Sequence, residues 1–139
     1  MFKIDNTTII DDTYNENGVA TVTIATPDGH FTGVARVHPD DLAAAHCNRF
    51  SGYYLAHTRA LIKYAKYTKN MNRKILHELI ILHSHINKKN PAIKEIEKRI
   101  TQIKLDIGSC IQFIDEATDG INEKLPALEQ YYQKKDKNS

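Results

Sequence analysis

The sequence predicts an α+β fold: a small antiparallel β-hairpin or three-stranded sheet, then a long antiparallel helical hairpin and a short C-terminal helix. Three observations predict it. Val19 to Ala25 and His30 to Val37 alternate with period two around a Pro27-Asp28-Gly29 turn. On one arm Leu61, Ala65, Thr68, Asn72, Ile75, Leu79, Leu82 and Ile86 step by 4, 3, 4, 3, 4, 3, 4. On the other, Ile93, Ile96, Ile100, Ile103, Ile107, Cys110, Ile114 and Ala117 step by 3, 4, 3, 4, 3, 4, 3. Each series is a heptad seam, the pattern of helices packed knobs into holes.

The elements follow in order. Residues 1–18 are mostly polar, with one apolar pair, Ile9-Ile10, and Thr7 to Asp11 reads as a short strand that could join the hairpin. Tyr14-Asn15-Glu16-Asn17-Gly18 reads as a turn. In the second strand of the hairpin, Phe31, Gly33, Ala35 and Val37 share one face. His30, Thr32, Val34 and Arg36 share the other. A sheet this small cannot bury itself. Its apolar face is expected on the start of the long helix, with Leu55, Leu61 and Ile62 as receivers. Asp40 or Asp41 caps a helix after His38-Pro39, and Leu42 to Cys47 gives one or two turns. Gly52 marks a break or a close approach. The bend of the helical hairpin falls at Asn87-Lys88-Lys89-Asn90-Pro91, because proline disfavours helix at the residue before it and suits a helix's first turn. Asp119-Gly120 is expected to end the second arm, with a short amphipathic helix from Ile121 to Lys135. The expectation is one domain over 1–139, sheet over 1–41 and helices over 42–135.

Bulk properties narrow the function classes. At 139 residues, 41% hydrophobic and 26% charged, the chain is ordinary for a globular domain. No run of 18 apolar residues suggests a membrane span, and the first residues lack a signal-peptide core, so the expected location is cytoplasmic. Two cysteines, Cys47 and Cys110, make no disulfide framework, and Cys110 reads as a core residue. The net charge of +2 does not by itself imply a nucleic-acid partner.

Catalytic signatures are missing. His83 and His85 point about 200° apart on a helix, so they cannot share a metal there. No glycine-rich phosphate loop or nucleophile elbow is present. The expectation is a protein that is not an enzyme and carries no metal or cofactor. Lys63, Lys66, Lys69, Arg73 and Lys74 recur at helical spacing beside Tyr64 and Tyr67. That stripe reads first as a solvated helix face and second as a nucleic-acid contact. Thr68 and Asn72 in the seam, with Tyr64, Leu76, Ile80, Ile81 and Leu105 off it, point to self-association as a homodimer or larger homo-oligomer.

One stretch carries a resemblance. Thr32-Gly33-Val34-Ala35-Arg36-Val37-His38-Pro39-Asp40-Asp41, then Gly52, then Leu55-Ala56-His57-Thr58-Arg59-Ala60, resembles a hairpin-plus-helix module common in small proteins of Gram-positive phages. It covers about residues 19–62. The whole chain also resembles the Thoeris anti-defence sponge family of phages. The resemblance implies a homo-oligomer in the host cytoplasm. It would sequester cyclic ADP-ribose isomers made by TIR-domain immune enzymes, or cyclic oligonucleotides, without degrading them. No ligand residue of that family aligns position by position, so none is carried over.

The chemistry of such a ligand still selects candidates. A cyclic diphosphate needs cationic donors and an aromatic surface for its base. Arg36 and Arg59 are the candidate donors, and they converge if the hairpin packs on the helix. The alternative role for either is a salt bridge to Asp40 or Asp41. Phe31 and Phe113 are the candidate stacking residues, with Phe50 and Tyr53 beside them, although residues of this type more often serve the core. Two other readings stand beside the sponge. One is a phage-encoded nucleic-acid- or protein-binding inhibitor of the anti-CRISPR or regulator type. The other is an oligomerisation module without a ligand.

Overall fold

A computed structural model describes residues 1–36 and 45–137, with side chains described for 1–36, 49 and 51–121. The order is β1 (Thr8–Tyr14), β2 (Val19–Thr26), β3 (Gly29–Arg36), α1 (Ala45–His85) and α2 (Ala92–Lys137). The α+β class and the long helical hairpin are as the sequence predicts. The strands form one antiparallel sheet in the order β1-β2-β3. The expectations on Val37 to Ala44, including the Asp40 and Asp41 cap, lie outside the described residues.

By contact, the chain divides into two compact units, one of residues 1–3 and 65–114, the other of residues 4–64 and 115–139. The sheet takes the first turns of α1 into its own unit, where it buries its apolar face.

In the sheet unit, local chemistry fixes each turn. Asn15 Oδ1 accepts from the amides of Asn17 and Val19, and Gly18 takes a φ of 74°, which a side chain would resist. Thr26 pairs with Gly29 across the two-residue Pro27-Asp28 turn, and Gly29 has a φ of 127°. The Thr26 hydroxyl accepts from the Asp28 amide and donates to the Gly29 carbonyl. Ala20, Val22, Ile24, Gly33 and Ala35 are buried on the helix-facing side. On the outer side the hydroxyls of Thr23 and Thr32 meet across the strands at 2.8 Å.

The helix receives the sheet most closely on small residues, which the expected Leu55, Leu61 and Ile62 did not include. Gly52, Ala56 and Ala60, spaced by four, line one face of α1, and all three are buried. A Cβ built on Gly52 would lie 3.0 Å from the Ala20 side chain. Leu55 and Ile62 are only half-buried; Leu61 is buried. Backbone approaches backbone here, where leucines would have held the sheet off.

In the helical unit, Ile103 and Cys110 are buried and the rest of the predicted α2 seam is half-buried. The α1 seam departs from prediction after Asn72. Ile75 is 38% and Leu82 49% exposed, while Leu76 and His83 are half-buried. The observed seam runs Asn72, Leu76, Leu79, His83, Ile86. A strict 4-3 alternation has a period of 3.5, whereas a straight helix drifts about 20° per heptad against it. A second consecutive step of four, from Asn72 to Leu76, restores the phase. His83 meets Glu97 at 3.1 Å. Asn90 opens α2, its Oδ1 accepting from the Ala92 amide, with Pro91 in the first turn as predicted. Residues Met1 and Phe2 lie on α2. The Met1 ammonium pairs with Asp106 at 2.6 Å, the Phe2 amide donates to Ser109 Oγ, and the Phe2 ring packs on Phe113.

The expected break at Asp119-Gly120 is not seen. Helix α2 continues through it to Lys137, so there is no separate C-terminal helix among the described residues. Glycine costs a helix interior about 1 kcal/mol, and tertiary packing overrides that here. A Cβ on Gly120 would lie 3.6 Å from the Tyr54 hydroxyl, within ordinary contact distance.

Candidate functional site

The sheet leaves two unlike edges. At the β3 edge, Arg59 donates to the Val34 carbonyl at 2.8 Å and Lys63 to the Thr32 carbonyl at 2.6 Å. The spacing explains the match. Four residues on a helix advance about 6 Å, and two residues on a strand about 6.6 Å. Two cations one turn apart therefore meet two successive outward carbonyls, and the edge is closed to a further strand.

At the β1 edge the pairing is irregular. Ile9 pairs with Ile24 and Asp11 with Thr23, so Ile10 is the extra residue of a bulge. In plain alternation Ile10, Asp12 and Tyr14 would share a face and Ile9 would lie opposite. The bulge brings Ile9 to the same side as Asp12, which stands across from Val22. That side faces α1.

Between this strand and the helix lies an open cleft of about 280 Å³, lined by Ile9, Asp12, Val22, Tyr53, Tyr54 and His57. The Tyr53 ring is held by Tyr14, with centroids 6.1 Å apart, and the Arg49 guanidinium lies 5.7 Å above the Tyr14 ring. Burial pushes the His57 imidazole below its usual range, which favours the neutral ring. Neither Asp12 nor His57 makes a hydrogen bond or ion pair among the described residues. The cleft thus offers phenol faces, apolar walls, one carboxylate and an imidazole able to donate or accept. Among the described residues, no lysine or arginine lines it.

The residues selected from the sequence lie elsewhere. Arg59 is engaged at the β3 edge. Arg36 is exposed at the end of β3, two residues along from Val34. Phe31 packs on Tyr64, with ring centroids 5.3 Å apart. Phe113 belongs to the helical unit, against Phe2. The Phe50 side chain is outside the described residues, and of the five that are described Tyr53 alone lines the cleft. Asp12 and His57 were missed as site residues. The only sequence signal for Asp12 was a carboxylate that plain alternation sets on one face with Ile10 and Tyr14.

The lysine stripe is divided as well. Lys63 is committed to a carbonyl and Lys69 is half-buried, while Lys66, Arg73 and Lys74 are exposed. Among the described residues, no group of three His, Cys, Asp or Glu side chains could hold a metal ion, and no helix is long and apolar enough to cross a membrane. Comparison with protein-family models, with curated proteins and with solved structures finds no match for this chain.

Proposed function

We propose that this protein acts by binding a small planar ligand and releasing it unchanged, with an amino-bearing ring such as a nucleobase seated in the β1–α1 cleft. The observation that carries the reading is the lining of that cleft. Tyrosine faces and apolar walls suit a flat ring, and the Asp12 carboxylate suits an N–H donor at its rim. A volume of about 280 Å³ is right for one ring system and too small for a dinucleotide. With one carboxylate and no cation among the described lining residues, a phosphate is not what the cleft favours. In the sponge reading suggested by the resemblance, a cyclic ADP-ribose isomer or cyclic oligonucleotide would enter by its base and leave its phosphates outside. Arg49, exposed and lying over the Tyr14 ring that packs on Tyr53, is the cation placed for that second task; Arg36 stands at the opposite edge of the sheet.

The test is calorimetric titration of the full chain with cyclic ADP-ribose isomers, cyclic oligonucleotides and adenosine, adenosine being the phosphate-free probe. The expected result is saturable binding, intact ligand after heat denaturation, and about tenfold weaker binding in Asp12→Asn. Binding by none of these probes overturns the reading. So does binding that Asp12→Asn leaves unchanged.

A further inference from the structure

Charge is divided between the two units. The unit of residues 1–3 and 65–114 holds 11 lysines and arginines against 4 aspartates and glutamates, and the other holds 8 against 13. The chain's net charge of +2 thus conceals +7 in the helical unit and −5 in the sheet unit. Two acids of the helical unit already have partners, Asp106 in the Met1 ammonium and Glu97 in His83. Helix α1 has no acidic residue before Glu78.

In the helical unit the cations of α1 form one row. Lys66, Asn70, Arg73, Lys74 and His77 lie within about 100° of one another around the helix, on the side away from the seam of Asn72, Leu76 and Leu79. All five are exposed. None of Lys66, Arg73 and Lys74 makes an ion pair or a hydrogen bond among the described residues.

From this row we infer that the outer face of α1, from Lys66 to His77, binds the major groove of duplex DNA. Charge complementarity selects a polyanion, since unpaired cations with no acid among them gain most from phosphates. Shape selects the duplex. The face is the convex side of one helix about 10–12 Å across, and the major groove is about 12 Å wide. Its length of about 17 Å matches the rise of about five base pairs. Arg73 and Lys74 stand at the two sides of the row, where the two phosphate strands run. Asn70 lies between them and is of the type that pairs with an adenine edge. A single strand is held in a groove, which a convex face does not offer. An anionic membrane fits less well, because the exposed apolar residues beside the row, Met71, Ile75 and Leu82, have Glu78 among them.

Fluorescence anisotropy of a labelled duplex of about 20 base pairs, titrated with the full chain, tests this. The expected result is a dissociation constant on the order of 10⁻⁵ M at about 50 mM salt, with a log–log salt slope of about −3 for the phosphates held by Lys66, Arg73 and Lys74. Lys74→Ala should reduce that slope by about 1. Arg73→Glu should weaken binding at least about tenfold with its circular dichroism spectrum retained. Lys98→Glu makes the same kind of charge reversal at an exposed position on the side of α2 away from its seam, and should stay within about threefold. No binding of the duplex at about 50 mM salt overturns the inference. So does a single strand of equal length bound more tightly than the duplex, or a Lys98→Glu variant as weak as Arg73→Glu. Asp12→Asn, which probes the cleft, should leave duplex binding unmoved, and a loss of binding in that variant would place the DNA contact on the sheet unit and overturn the inference as well.

Discussion

Gly33 of β3 lies directly on the backbone of Ala56 in α1: a Cβ built at Gly33 would stand 1.9 Å from the Ala56 carbonyl oxygen and 2.6 Å from the Ala60 amide nitrogen. Real Cβ atoms do not come that close to backbone, and neither neighbour can rotate away. Gly33→Ala must therefore push the helix off the sheet. The expected loss is about 3 kcal/mol or more, at the upper end for overpacking, read as a shift in the urea midpoint. Gly29→Ala is the control for backbone conformation. A Cβ there meets nothing within 4 Å, so only its φ of 127° is strained. An unfolding midpoint for Gly33→Ala close to that of the unchanged protein would refute the close approach.

Removing the cover of the β3 edge should show in solubility before it shows in stability. Arg59→Ala and Lys63→Ala each delete one exposed hydrogen bond to a β3 carbonyl, worth about 1 kcal/mol or less. Together they expose the outward row of an edge strand that also carries Val34, itself exposed. Light scattering on heating should report earlier aggregation for the double variant, with little change in the urea midpoint. Equal aggregation onset in both proteins would mean that the edge is guarded by something else.

His57 should give the fold a pH dependence of known sign. Its folded pKa is lowered by desolvation, so the folded state disfavours the proton relative to the unfolded chain. Above the unfolded value of about 6.5 both states are neutral and the contribution is fully present. Below it the unfolded chain takes up the proton first, and stability falls until the folded pKa is passed. The urea midpoint should therefore drop more steeply between pH 7 and pH 5 in the unchanged protein than in His57→Gln. Parallel curves would show that the imidazole is as well solvated folded as unfolded.

Much of the fold could be read from the residues, and the exceptions have physical causes. Alternation placed Phe31, Gly33 and Ala35 on one face of β3, because a side chain every second residue must either be buried or not. The seam of α2 was equally plain from its isoleucines. The α1 seam was legible only as far as Asn72, since apolar residues stand at both 75 and 76 and at 79, 82 and 86. Periodicity cannot choose between rows when both are apolar, and the row left over is the exposed one. The candidate site was hardly legible. It depends on the bulge at Ile10, and nothing in Thr8-Ile9-Ile10-Asp11-Asp12 marks which residue is extra. The arginines were chosen for their charge, but the structure uses Arg59 as a hydrogen-bond donor to backbone. The triad Gly52, Ala56 and Ala60 did carry a readable signal, small residues spaced by four, which fits a strand laid close against a helix.

That triad has a consequence for how the molecule can vary. Where a joint is made of side chains, trimming one loosens it and enlarging another tightens it. Here the sheet and the helix meet with almost nothing between them, so there is little left to remove and nearly every change adds. The separation is a fixed gauge, set by glycine and alanine at one place. The width of the cleft beside β1 is held by residues that do not line it. Substitutions at Asp12, Tyr53, Tyr54 or His57 can therefore alter what the cleft accepts while its walls stay the same distance apart.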